Sequence, residues 1–145
     1  MVLSRSEFAH LLPHAGSMSL LDRVLAYDAE RLHATAQSHR AADNPLRREG
    51  QLSPCAGIEY AAQAMAVHGA LRAGGGAARQ GFLALAREIT WTVARLDDIP
   101  ADLDIHIHQL ALRADSAMYE FSLAALGRVL VAGRAAVFFP EEAGR

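Results

Sequence analysis

Apolar and polar side chains alternate along residues 31–39, RLHATAQSH, a pattern typical of a β-strand with one buried face. The apolar face holds Leu32, Ala34 and Ala36, and His33 begins the polar face. The preceding stretch, residues 20–28 (LLDRVLAYD), is also strand-like, and only two residues separate it from the first. We therefore predict a hairpin that places one face in the core.

A run of small apolar residues follows a charged loop at residues 40–54 and extends from about Pro54 to about Arg72. Its alanines and glycines lie on nearly every side of a helix: Ala56, Gly57, Ala61, Ala62, Ala64, Ala66, Gly69 and Ala70. The glycines of AGGGAA, residues 73–78, predict its end, because glycine adopts the left-handed cap geometry without steric cost. We predict one long helix whose backbone is approached closely all round.

Four strand-like segments occupy the remainder, at residues 81–96, 102–114, 116–126 and 128–139. Gly127 separates the last two, as in a hairpin. At the other end, Ser6 is predicted to cap a short helix over residues 6–12, which Pro13 ends. The polar tail, residues 140–145, is expected to fray.

This order of elements predicts a single α+β domain over residues 1–145. A curved antiparallel sheet wrapped around one long central helix, which is the hotdog fold, would surround the small-residue helix. Because such a sheet has a free edge and one protomer covers the helix incompletely, we expect a dimer with its edge strands joined.

The composition excludes several classes of function. The chain is 52% hydrophobic and 21% charged with a net charge of −2, so no basic stripe is available for nucleic acid. No apolar run is long enough for a membrane span or a signal peptide, and we expect a cytoplasmic protein. The single Cys55 allows no internal disulfide and heads no zinc motif, so no metal is expected.

Glu59 and Gln63 are four residues apart and share one face of the predicted helix. A carboxyl in the first turns is stabilised by the helix dipole, whereas burial raises its pKa. Two interpretations remain open: Glu59 complements the dipole at an exposed turn, or it is a catalytic group. Cys55, beside it, is either a reactive thiol or a packing residue.

Two motifs resemble the hotdog-fold 3-hydroxyacyl-carrier-protein dehydratases of fatty acid synthesis. The stretch LLPHAGSMSLLDRVLAYD, residues 11–28, is similar to their opening Leu-Pro-His segment and the strand after it. The stretch GIEYAAQAMAVHG, residues 57–69, resembles their central helix. Within that group, the chain looks closest to the predicted dehydratases of aryl polyene and related pigment pathways.

The resemblance implies dehydration of a 3-hydroxyacyl thioester, carried by phosphopantetheine on an acyl carrier protein, to the trans-2-enoyl product without a cofactor. A loop histidine would remove the C2 proton, and the helix carboxylate, here Glu59, would help the hydroxyl leave. Gln63 takes the family's glutamine position. A substrate channel would run along the helix at the dimer interface, lined by Cys55, Gly57 and Gln63 and by Gly81, Phe82 and Leu83.

The loop before the helix departs from the family, because NPLRREGQLSP, residues 44–54, contains no histidine. His14 and His39 are the candidate substitutes, although each histidine is more often structural. The gap leaves two alternatives: a non-catalytic subunit that pairs with an active dehydratase, or a thioesterase that uses the same carboxylate to activate water.

Other polar residues have ordinary explanations. His106 and His108 share one strand face and are expected to be solvated rather than to bind a metal. His68 is expected to form local hydrogen bonds. Arg47 and Arg48 either contact the acidic carrier protein or lie in a solvated loop.

Overall fold

The computed structural model describes residues 2–9, 19–72 and 82–139. Seven strands form one sheet in the order β1-β2-β3-β5-β6-β7-β4, and every neighbouring pair is antiparallel. The strands and helices, in chain order, are β1 (Leu3–Ser4), α1 (Arg5–Phe8), β2 (Arg23–Tyr27), β3 (Arg31–Ala36), α2 (Gly57–Arg72), β4 (Phe82–Trp91), β5 (Leu103–Leu112), β6 (Ser116–Ala125) and β7 (Arg128–Phe138). This is the predicted α+β architecture, an antiparallel sheet with one long helix.

The β2–β3 hairpin is confirmed. Leu32, Ala34 and Ala36 are all buried, because the alternation along β3 turns them toward α2. The same alternation buries Leu103, Ile105 and Ile107 of β5. Helix α2 therefore packs mainly against β3, β5 and β6, and the core lies between them.

The predicted hairpin at Gly127 is also confirmed. Leu126 and Gly127 connect β6 to β7, and both have positive φ values, 54° and 78°. Two consecutive positive φ angles are the geometry of a tight hairpin turn, and glycine supplies the second without strain.

The structure departs from the predicted boundaries at two main places. The N-terminal helix begins earlier than expected, with Ser4 rather than Ser6 as its N-cap. Strand β4 ends at Trp91 instead of continuing to residue 96, because the backbone after Trp91 turns away through residues 92–100. The predicted stops at Pro13 and at residues 73–78, and the tail at 140–145, lie outside the described residues.

Gly133 in β7 is packed too tightly to accept a side chain. A Cβ there would lie 2.4 Å from Ile89 Cδ1, 3.1 Å from Phe121 Cζ and 3.3 Å from the Arg87 carbonyl oxygen. We expect Gly133→Ala to lower the free energy of unfolding by about 1–3 kcal/mol, the usual cost of overpacking. Urea unfolding of the purified chain measures this change.

Ile89→Ala supplies the matched test, because it removes the nearest clash. In that background Gly133→Ala should cost less than in the parent chain, a coupling that a double-mutant cycle detects. Equal costs in both backgrounds would show that Ile89 does not set the packing at Gly133.

Candidate functional site

Helix α2 has one stripe of its surface that the other described residues leave uncovered. The stripe consists of Cys55, just before the helix, and Glu59, Ala62, Ala66 and Gly69, spaced four, three, four and three residues apart. Cys55 and Ala66 are exposed, the other three are partly buried, and a Cβ at Gly69 would meet no atom within 4 Å. The prediction that other groups approach this helix all round therefore stays a prediction along this stripe, as does the expected dimer that would cover it.

Gly57 lies on the packed side of the helix and supports the prediction there. A Cβ at Gly57 would lie 3.2 Å from Leu123 Cδ2 and 3.4 Å from Val131 Cγ2. The absence of a side chain thus allows the first turn of α2 to approach β6 and β7 closely. Gly57 therefore packs against the sheet, whereas the sequence analysis predicted that it lines the substrate channel.

Glu59 lies in the first turn of α2 and is partly buried. The chain enters this turn through a 3₁₀ turn, Pro54–Ala56, in which the Ser53 side chain accepts a hydrogen bond from the Cys55 N–H. The first N–H groups of a helix lack partners within the helix and carry its partial positive charge. Glu59 therefore lies at the positive end of the α2 dipole, where the Gly57 N–H already donates to the Cys55 and Pro54 carbonyl oxygens.

Gln63, one turn later, faces the interior. It is 1% exposed, and its Oε1 accepts a hydrogen bond of 2.9 Å from the Leu20 backbone N–H. This contact fixes the segment before β2 to the helix. Gln63 thus anchors the chain that follows the Leu-Pro-His motif, a contact that the sequence did not reveal.

The structure describes only one of the two candidate bases. His14 lies outside the described residues. His39 is 0% exposed, and its Nε2–H donates to the Ile99 carbonyl oxygen at 3.1 Å. Burial lowers the pKa of His39, which favours the neutral ring. In the described structure, His39 packs between the start of the loop at residues 38–53 and Ile99.

The loop at residues 38–53 is held by buried polar contacts rather than left open. The Asn44 Nδ2 donates to the Ser38 carbonyl oxygen at 2.9 Å and to the Tyr60 hydroxyl at 3.1 Å. Arg47 donates to the backbone carbonyls of Gly50 and His39, whereas Arg48 is exposed. The loop is therefore tied to α2 directly beside Glu59.

His68 is buried, and the prediction that it bonds locally is wrong. Its Nε2–H donates to the Asp28 carbonyl oxygen, and its Nδ1 accepts from the Tyr119 hydroxyl, each at 3.0 Å. Both partners come from the sheet. Burial lowers the pKa of His68 and raises the pKa of Tyr119 to about 12. This pair joins the second half of α2 to β6 and to the turn after β2.

His39 and His68 make stability depend on pH. Because burial lowers both pKa values, the unfolded chain binds protons more readily below about pH 6.5, the ordinary histidine pKa. Stability is therefore fully present above that pH and is lost as the pH falls toward the folded-state pKa values. We expect a lower urea midpoint at pH 5.5 than at 7.5. Equal midpoints for the parent chain would contradict this expectation.

The outer face of the sheet, opposite α2, bears a polar groove of about 710 Å³. His33 and His106 stack there with ring centroids 4.1 Å apart, and His33 Nε2 lies 2.7 Å from Asp104 Oδ1. His108 lies between Glu120 and Glu30. Within the described residues, no group of three or more His, Cys, Asp or Glu side chains could hold a metal ion.

The channel residues predicted after the helix fall at the free edge of the sheet. Gly81 lies outside the described residues, and Phe82 is the first residue of β4. Leu83 is 40% exposed and pairs with Val137 of β7 on the face that α2 shares. Trp91, at the other end of β4, pairs with buried Val131 and is 55% exposed. Strand β4 therefore presents exposed Leu83 and Trp91 on the same face of the sheet as α2.

The sequence matches the family model of ApeP-like proteins, described as ApeP dehydratase, over residues 6–145. The chain belongs to the ApeP-like dehydratase family. This confirms the resemblance to hotdog-fold dehydratases that the two motifs indicated. No curated protein sequence matches the chain.

Solved structures similar to this ApeP-like chain share its fold. The dehydratase heterocomplex ApeI:P from Xenorhabdus doucetiae aligns with a TM-score of 0.81 at 24% identity, covering 93% of this chain and 91% of that one. Zebrafish thioesterase superfamily member 2 aligns with a TM-score of 0.66 at 16% identity, covering 95% and 99%. A hypothetical thioesterase with coenzyme A from Streptococcus pneumoniae gives 0.64 at 11%, covering 96% and 98%. The hotdog fold is thereby confirmed.

None of the helices described in this ApeP-like chain is long and apolar enough to cross a membrane.

Proposed function

We propose that this chain is one subunit of a dehydratase that converts 3-hydroxyacyl thioesters on an acyl carrier protein to trans-2-enoyl products in aryl polyene biosynthesis. Membership of the ApeP-like dehydratase family supports the reaction class. The position of Glu59 carries the proposal. Glu59 belongs to the open stripe of α2, on the same face of the sheet as exposed Leu83 and Trp91 of β4, and we propose that a second chain encloses an acyl thioester on this face.

Dehydration requires one group to accept the C2 proton and another to protonate the departing hydroxyl. In our proposal the Glu59 carboxyl donates its proton to the C3 oxygen as the C3–O bond breaks, so that water leaves and the C2–C3 double bond forms. The partial positive charge at the start of α2 stabilises negative charge on the thioester oxygen as the C2 proton is removed.

The base must come from elsewhere in the assembly or from the undescribed segment. Among the described histidines, His39 and His68 are buried, and His33, His106 and His108 belong to the outer face of the sheet. Two sources remain: a histidine outside the described residues, His10 or His14, or a residue of the partner chain. The ApeI:P heterocomplex is a precedent for assembly of a related chain with a different dehydratase subunit.

Strand β4 is the surface that we assign to the partner. It lies at the end of the sheet order, so one side of its backbone has no neighbouring strand among the described residues. Such edges join readily to another strand, and α2 packs mainly on the other half of the sheet. A second hotdog chain, identical or related, would cover Trp91 and the open stripe together.

The decisive experiment incubates the purified chain with a 3-hydroxyacyl carrier protein, alone and with a related dehydratase subunit from the same pathway. Mass spectrometry distinguishes the enoyl product from unchanged substrate and from free acid. Enoyl formation by the chain alone that is lost in His14→Ala assigns the base to this chain. Formation only with the partner assigns the base to that subunit. Free acid as the product in both arms would replace our proposal with a thioesterase.

A non-catalytic role in the same complex is the second candidate, and the loop supports it. Residues 44–54 contain no histidine, and Asn44 and Arg47 fix the loop in place. In that case the partnered complex would retain full activity with Glu59→Gln in this chain.

A further inference from the structure

Leu96 and Asp97, which follow β4, bind Leu52 just before α2. We call this contact the clasp. The Leu52 N–H donates to Asp97 Oδ1 at 2.8 Å, and the Leu96 N–H donates to the Leu52 carbonyl oxygen at 2.8 Å. Leu52 and Leu96 are both 0% exposed. Two reciprocal hydrogen bonds over a pair of buried leucines therefore fix one point of the chain against another far away in sequence.

Asp97 is held firmly at the centre of this clasp. Its side chain is 5% exposed, and Arg95 donates to it from Nη2 and, at 3.0 Å, from Nε to each carboxylate oxygen. The Arg95 guanidinium lowers the pKa of Asp97 well below its usual range, and the Leu52 N–H adds to this effect. The neighbouring Asp98 differs, because its side chain is 60% exposed and lies 3.9 Å from Arg95.

The clasp acts at the entry to α2. Leu52 directly precedes Ser53, whose side chain caps the 3₁₀ turn at Pro54–Ala56, and Pro54 is buried. The helix then begins at Gly57 and carries Glu59 in its first turn. A shift of Leu52 would therefore move the cap and the first turn together.

We propose that Asp97 is a positioning residue of the dehydration site, which fixes the start of α2 and, through it, the position of Glu59 in the first turn. This inference rests on the function proposed above. Asp97 lies outside the two motifs of the family resemblance, and its contact with Leu52 spans 45 residues.

Two measurements on the full chain test the clasp without any assay of activity. Hydrogen exchange reports directly on the Leu52 amide. Modification by 5,5′-dithiobis(2-nitrobenzoic acid) reports on Cys55, the only cysteine of the chain, at the entry to α2. We expect Asp97→Ala to raise the exchange rate by about tenfold or more and to change the thiol rate by about threefold or more.

The matched control is Asp98→Ala, which removes the adjacent carboxylate and should leave both rates within about twofold of the parent. Both rates of Asp97→Asn should lie between those of Asp97→Ala and Asp98→Ala, because an amide oxygen can still accept a hydrogen bond from the Leu52 N–H. If Asp97→Ala does not fold, Asp97→Asn and Arg95→Gln are compared with the control instead. Rates equal to those of the control in these variants would overturn the clasp.

Turnover of the active assembly tests the link to catalysis. We expect Asp97→Ala to lower kcat by about tenfold with KM nearly unchanged, and Asp97→Asn to restore much of it. A changed exchange rate with unchanged kcat would overturn the positioning role. If no assembly dehydrates the substrate, the proposed function fails and this role fails with it, whereas the two rates still decide whether the clasp exists.

Discussion

Glu59→Gln in the assembly that dehydrates a 3-hydroxyacyl carrier protein is expected to lower kcat by about 100-fold or more, the usual contribution of a general acid. Glutamine keeps the size and much of the hydrogen bonding of the side chain but has no proton to give to the departing hydroxyl. Because the residue is partly buried at a helix start, the fold should persist. Single-turnover formation of the enoyl product measures the chemical step, and circular dichroism verifies folding.

The matched control is Glu30→Gln. Glu30 lies in the turn between β2 and β3, its side chain is 68% exposed, and its Oε2 lies 3.6 Å from His108 Nε2 on the outer face. This variant removes the same charge far from α2 and should retain parental turnover. Equal activity of both variants would remove Glu59 from the reaction and leave the chain a non-catalytic role.

The alternation of side chains was sufficient to predict most of the sheet. In β3 and in the first half of β5, Leu103–Ile107, every second residue is a buried aliphatic, and this period determines which face meets the helix. The same reasoning placed His106 away from Ile105 and Ile107, as the structure shows. These features depend on neighbours in the sequence, so a single sequence reveals them.

Contacts between distant segments could not be predicted in this way. His68 was expected to bond locally, but its partners belong to the turn after β2 and to β6. Asp97 lies between two predicted strand segments, and nothing in the sequence indicated that it accepts the Leu52 N–H. No periodicity signals such pairs, because each depends on how the sheet brings separate loops together.

The small residues of α2 illustrate a partial success. They correctly predicted close approach at Gly57, where Leu123 and Val131 leave no room for a side chain. Gly69 belongs to the same run of small residues, but a Cβ there would meet no described atom within 4 Å. Composition therefore indicates that a helix face can be approached closely, but not whether the approaching group belongs to the same chain. In our proposal a second chain covers this stripe.

Trp91→Ala is expected to weaken that assembly by about 2 kcal/mol, or about 30-fold in Kd, the size typical of a central aromatic anchor. The indole is 55% exposed on the edge strand β4, on the face that α2 shares, so a partner that joins this edge must bury it. Val2→Ala is the control, because Val2 is similarly exposed, at 56%, but precedes β1 at the opposite end of the sheet. Sedimentation velocity over a range of concentrations, with and without the related subunit, gives both dissociation constants. If the two variants assemble equally well, β4 is not the joining edge, and Glu59 must meet its substrate at a different surface.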